Sequence, residues 1–213
     1  MIFDFGFAIF DSSPDIRILQ IVNRKSKIER MGQRAIFLDR DGVINVNRPD
    51  HVKSWDEFVF LPNALTALQK LAASDFRVIV TTNQSAIARG LVTEETVRAI
   101  HAQMIAEVTR AGGRIDAIYF CPHHPDDGCA CRKPRPGLFL AAARDFAIDF
   151  ARSFVIGDAW SDVAAALAIG ARPILVLTGR GREQYAEMRA NNHNHPVADD
   201  LLGAVEQILR GQV

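Results

Sequence analysis

The sequence predicts an α/β protein, a three-layer Rossmann-like parallel sheet with helices on both faces. Short runs rich in β-branched and aromatic residues recur between stretches with helical patterning. Alternation of that kind requires crossover connections, which cover a parallel sheet on both sides. Polar residues gather where the apolar runs end, and a sheet of this type places its ligand crevice beyond those ends.

Residues 1–30 read as an N-terminal extension. Met1–Phe10 is apolar, but Asp4 interrupts it, and neither a preceding basic residue nor a small-residue cleavage pattern accompanies it. It is also shorter than the roughly 20 apolar residues that span a membrane. Asp11–Arg30 holds no sustained period, so the extension is expected to be disordered or loosely docked, with Met31 as the native start. Residues 31–213 then form one domain.

Within that domain the expected strands are Ala35–Asp39, Arg77–Thr82, Ile115–Cys121, Ser153–Gly157 and Pro173–Leu177. Helices are expected over Pro62–Ala73, Thr93–Ala111, Pro136–Ala147, Ser161–Ile169 and Asp199–Leu209. Thr93 supplies a cap and Glu94 and Glu95 favour the first turn, after which Val97, Ile100, Met104, Ile105 and Val108 mark an apolar face. The connection after the first strand has room only for a minimal cap, in which Trp55 and Phe58 either cover the crevice or pack into the core.

The charge balance, 25 Lys+Arg against 25 Asp+Glu in 213 residues, provides no basic field for nucleic acid or an anionic membrane. The expected protein is soluble, cytoplasmic and monomeric, with neither of those as a partner. Its three cysteines lie together at Cys121, Cys129 and Cys131, which suits a metal site in a reducing compartment better than a disulfide framework.

FLDRDGVIN sets Asp39 and Asp41 at a strand end, both able to point into one crevice. Carboxylates that close repel unless a cation lies between them. Asp158 and Asp162 in IGDAWSD add acids from another strand end, and Mg²⁺, a hard cation, is the natural occupant. An isolated DxDG also reads as a solvated turn. TTNQS, however, supplies the Thr82 hydroxyl, the Asn83 amide and loop N–H groups for phosphate oxygens, and Arg132 and Lys133 supply positive charge. Together these form a phosphoryl-transfer set.

In the order DxDGxxN, TNQS, Lys133 before Pro134 and GDxxxD, the chain resembles the haloacid dehalogenase-like phosphatases from Ala35 to about Gly179. The resemblance implies Asp39 as nucleophile and Asp41 as general acid and base. It implies Thr82 and Lys133 as holders of the phosphoryl group. For Mg²⁺ it implies Asp39, the main-chain carbonyl of Asp41, and Asp158, with Asp162 behind them as a supporting partner.

CPHHPDDGCACRKP spaces Cys121, His123, Cys129 and Cys131 as C-x-H-x5-C-x-C, a closed tetrahedral Zn²⁺ set with a structural role; His124 is an alternative to His123. A zinc-binding loop ending at Cys131 would fix the chain that carries Arg132 and Lys133. The same loop occurs in two branches of the superfamily, acting on heptose 1,7-bisphosphate and on histidinol phosphate. DRDGVIN, TTNQSAIARG and CPHHP…CACRKPRPG look closer to the heptose branch, which implies removal of the 7-phosphate in lipopolysaccharide precursor synthesis. That branch's contacts to its phosphorylated sugar carry over to Asn47, Arg48, Pro49, Asp50, Thr82, Asn83, Gln84, Ser85, Arg132 and Lys133.

Two features depart from it. Only five residues separate His123 from Cys129, as in the histidinol-phosphate branch, and Ala159 stands where a basic residue is usual, a role left to Arg180 or Arg182. Arg89 reaches the substrate or lies on the surface. His193 and His195 read as surface residues, and Trp160 as rim packing. A zinc-stabilised, non-catalytic module for a phosphorylated ligand or nucleic acid is the remaining alternative, and it has no use for Asp39 and Asp41.

Overall fold

A computed structural model describes residues 17–20, by backbone alone, and residues 32–213. The strands are β1 (Arg17–Gln20), β2 (Ala35–Leu38), β3 (Arg77–Asn83), β4 (Ala117–Cys121), β5 (Phe154–Gly157), β6 (Arg172–Val176) and β7 (Val197–Ala198). They form one sheet in the order β1-β4-β3-β2-β5-β6-β7. Strands β2 to β7 are parallel, and β1 pairs antiparallel with β4, Arg17 opposite Phe120. The rest of the 1–30 extension lies outside the described residues.

The helices are α1 (Ala64–Ala72), α2 (Glu94–Arg110), α3 (Gly137–Phe146), α4 (Trp160–Ala168), α5 (Gly181–Ala190) and α6 (Leu201–Leu209). The pleat of the strands divides the core. Ile36, Leu38, Val78, Val80, Ile118 and Ile156 pack with Leu68 and Leu71 of α1, Ile100 and Met104 of α2, and Val205 and Ile208 of α6. On the other face Phe37, Ile79, Tyr119 and Val155 meet Phe139 and Ala142 of α3 and Ala165 of α4. Two covered faces explain why the strands read as continuous apolar runs, each large side chain contributing about 1.5–3 kcal/mol when buried.

Helix α2 starts as its sequence predicts, with Thr93 Oγ1 accepting from the Thr96 N–H and two acids in the first turn. Sequence patterning misses α5 and β7. Only Gly181 and Met188 of α5 are buried, so it shows no apolar stripe, and β7 is two residues long. Trp55 stacks on Phe58 with ring centroids 4.9 Å apart, and both join the core, which decides for packing over a lid. Among the described residues no helix is long and apolar enough to cross a membrane.

The chain runs from β2 out through β3 and β4, then returns to β5 on the opposite side of β2. The carboxyl ends of β2 and β5 therefore flank a topological switch point, where an open parallel sheet leaves a crevice.

Candidate active site

A cleft of about 440 Å³ opens at that switch point. Asp39, directly after β2, Thr82 near the end of β3, and Lys133, after the loop that follows β4, all line it. Asp158 follows β5 and is fully buried.

Lys133 is buried, and its ammonium lies 3.0 Å from Asp39 Oδ1 and 2.6 Å from Asp162 Oδ1 and donates to the Thr81 carbonyl at 2.7 Å. Burial opposes its charge, but Asp162 and Asp39 outweigh burial and raise its pKa. Its main chain is held from β3, where Asn83 Oδ1 accepts from the Lys133 N–H at 3.1 Å. Asp39 Oδ1 also accepts from the Arg40 N–H at 2.7 Å. Among the described residues no donor engages Asp39 Oδ2. Burial raises the Asp39 carboxyl to about 6, against the pull of Lys133.

Asp41 has a different environment. Arg40 Nη2 donates to both its oxygens at 2.9 Å, Asn45 Nδ2 to Oδ1 at 2.9 Å, and Gln84 Nε2 to Oδ2 at 2.8 Å. Burial pushes this carboxyl up, and Arg40, Asn45 and Gln84 together more than reverse it. Two acids two residues apart are thus driven in opposite directions.

Asp158 Oδ2 accepts from the Arg180 N–H at 2.8 Å, while its buried Oδ1 has no hydrogen-bond partner among the described residues. Burial and the Asp39 charge raise Asp158 to about 7. Ligand oxygens of Asp39, Asp158 and Asp162 lie within 4.8 Å of one another. An orphaned buried oxygen in a carboxylate cluster is the donor set that Mg²⁺ satisfies. Gly42 and Gly179 make the approach possible: both have positive φ, +87° and +55°, and a methyl group on either would collide with Asp158 Oδ2.

The cysteines converge as predicted. Cys121 and Cys129 Sγ are 3.6 Å apart, Cys121 and Cys131 3.2 Å, and His123 Nδ1 is 3.2 Å from Cys131 Sγ and 3.6 Å from Cys121 Sγ. These separations approach the ~3.8 Å between sulfurs around tetrahedral zinc at ~2.3 Å. The hydrogen bond from Cys131 lowers the Cys121 thiol to about 5, and the same contact raises Cys131. Sulfurs this crowded do not all ionise without a cation, so the cluster fits Zn²⁺. His124 is occupied elsewhere, its Nδ1 capping a 3-10 turn at the Asp126 N–H, 3.4 Å away.

Of the predicted substrate contacts, Asn47, Arg48, Pro49, Thr82, Asn83, Gln84, Ser85, Arg132 and Lys133 line the cleft. Asp50 does not: its carboxylate is exposed and paired with Lys53 Nζ at 2.7 Å and Arg48 Nη2 at 3.0 Å. Of the two arginines expected to stand in for the basic residue missing at Ala159, Arg180 lines the cleft and Arg182 does not. His193 is exposed and lies against the Trp160 ring, centroids 4.5 Å apart, and Arg89 is exposed too. Sequence reading missed His51, Ser161, Arg40 and His101; the last was signalled only as a polar residue on the apolar face of α2.

The comparisons with known proteins agree with this geometry. A HAD-hydrolase-like family model matches residues 130–204. Over 177 residues the chain is 44% identical to the D-glycero-beta-D-manno-heptose-1,7-bisphosphate 7-phosphatase of Bordetella bronchiseptica, covering 83% of this chain and 98% of that protein. A protein of the same name from Neisseria meningitidis is 38% identical over 178 residues, covering 83% of this chain and 95% of its own length. The crystal structure of D,D-heptose 1,7-bisphosphate phosphatase from B. bronchiseptica, complexed with magnesium and phosphate, matches at a TM-score of 0.79 and 43% identity, covering 84% of this chain and 99% of that one.

Proposed function

Because this chain belongs to the D-glycero-beta-D-manno-heptose-1,7-bisphosphate 7-phosphatase family of HAD-like hydrolases, we propose that it removes the 7-phosphate of that heptose bisphosphate, a step toward lipopolysaccharide precursors. The observation that carries the reading is the meeting of Asp39, Asp41 and Lys133 at one cleft, in which no donor among the described residues engages Asp39 Oδ2.

Asp39 Oδ2 attacks phosphorus, the bond to the sugar oxygen breaks, and an aspartyl-phosphate forms. Asp41 gives the departing sugar oxygen its proton, then accepts one from the water that cleaves the acyl phosphate, releasing inorganic phosphate and restoring Asp39. In the free protein its partners favour the carboxylate, which suits the second half; a phosphate dianion arriving alongside raises its pKa and favours loading it for the first. Lys133 and the Thr82 hydroxyl bind the phosphoryl oxygens. Asp39, Asp158 and the Asp41 carbonyl would hold Mg²⁺, which when bound screens the charge between carboxylate and phosphate. Arg132, Arg48 and Arg180 provide the positive wall that the rest of a sugar bisphosphate requires.

The test is phosphate release from heptose 1,7-bisphosphate, histidinol phosphate and an aryl phosphate, by the wild type and by Asp39→Asn. Turnover highest on the heptose ester and absent in the variant is expected. Preference for histidinol phosphate would overturn the substrate assignment, and an active Asp39→Asn the mechanism.

A further inference from the structure

Arg40 lines the cleft at 1% exposure, His101 lies outside the lining at 0%, and neither belongs to the nucleophile, the metal ligands or the phosphate contacts. Arg40 connects two places. Its Nη2 grips both oxygens of Asp41 at 2.9 Å, and its Nη1 lies 3.1 Å from Nε2 of His101, in the middle of α2. His101 packs edge-on against Phe120 of β4, ring centroids 5.4 Å apart.

Stability does not account for this arrangement. A buried guanidinium and imidazole carry a desolvation cost, and apolar side chains of similar volume in such positions are often neutral or stabilising. Here Arg40 Nε and His101 Nδ1 are also buried with no hydrogen-bond partner among the described residues, which adds to the cost. Burial and the Arg40 charge keep His101 neutral, so its Nε2 lone pair is available to accept from Nη1. Fixed at one end by His101 and at the other by Asp41, the planar guanidinium has little freedom to rotate, and neither has the carboxylate it holds.

We propose that His101 is a positioning residue for catalysis: acting through Arg40, it fixes the orientation in which Asp41 exchanges protons with the leaving oxygen and with water. This rests on the reading of Asp41 as the proton-transfer group. His101 itself touches neither cleft nor substrate, so its effect belongs in turnover and not in binding.

His101→Leu, His101→Gln and Asp41→Asn, each full length and loaded with metal, are compared with the wild type on heptose 1,7-bisphosphate. Leucine suits the buried face of α2, which also carries Val97, Ile100 and Met104, but accepts nothing from Arg40; glutamine offers an acceptor oxygen. The expected result for His101→Leu is a kcat lowered by about 10- to 100-fold, with KM and the Mg²⁺ activation constant near wild type and a lower Tm, because Arg40 Nη1 loses its acceptor. His101→Gln is expected to recover most of that loss. An unchanged kcat in His101→Leu, or a loss accompanied by shifts in KM, Mg²⁺ dependence or Tm that glutamine does not repair, would overturn the proposal. Wild-type rates in Asp41→Asn would instead overturn the role given to Asp41 itself.

Discussion

Lys133 Nζ lies 3.0 Å from Asp39 Oδ1, the lysine side chain 1% and the aspartate 12% exposed, so the positive and negative charges proposed to act on phosphate are already paired. Removing the cation strands Asp39 and Asp162 together. Lys133→Met is therefore expected to lower kcat by about 100-fold or more and to cost about 3 kcal/mol of stability. Steady-state rates and urea unfolding check both, and turnover within tenfold of wild type would exclude Lys133 from the phosphoryl site.

Metal binding should depend on pH in a definite direction. Folding raises Asp39 to about 6 and Asp158 to about 7 from an ordinary 3.8, so between these values the metal-free folded chain holds more protons than the unfolded one. Its stability falls as pH rises through that window. Mg²⁺ takes the deprotonated carboxylates, so the rise in Tm on adding Mg²⁺ is expected to be larger at pH 8 than at pH 5.5. Thermal melts at the two pH values decide it, and an equal or reversed rise would contradict the burial argument.

Gly42 adopts φ +87° against the Asp158 carboxylate. Gly42→Ala is expected to displace Asp158 and weaken Mg²⁺ activation about tenfold, leaving the zinc content at one per chain. Magnesium titration of activity, with metal analysis of the same sample, separates this from general misfolding. An unaltered magnesium constant would mean that the carboxylate accommodates the methyl group.

Zinc should govern activity without taking part in it. Cys131 is fully buried, and the chain continues from it directly into Arg132 and Lys133. Cys131→Ser is expected to lose zinc, melt at a lower temperature and turn over about 10-fold more slowly. If the zinc-free variant keeps its full rate, the loop does not order the phosphate site.

Much of this was legible in the sequence where a chemical need coincides with a strand end. Asp39, Thr82 and Asp158 stand at such ends, and the cysteine spacing carries its own geometry. The illegible parts have physical reasons. The α5 helix exposes nearly all its surface, β7 is stabilised by its neighbour rather than by its own pattern, and Asp50 was directed to the cleft though Lys53 and Arg48 turn it away. The Arg40–His101 contact spans 61 residues, and no local period encodes a pairing of that kind.

Asp50 has a further consequence. Lys53 and Arg48 hold its carboxyl at about 2, and Lys53 N donates to Glu57 at 2.9 Å, so the turn that presents Asn47, Arg48 and Pro49 to the cleft is braced from within. Those ties do not involve Asp39, Asp158 or Lys133. The segment proposed to meet the sugar is in effect a replaceable fitting: mutation can redraw it and try new phosphate esters while the proposed hydrolytic apparatus stays intact, a division of labour that lets one scaffold diversify without first losing its chemistry.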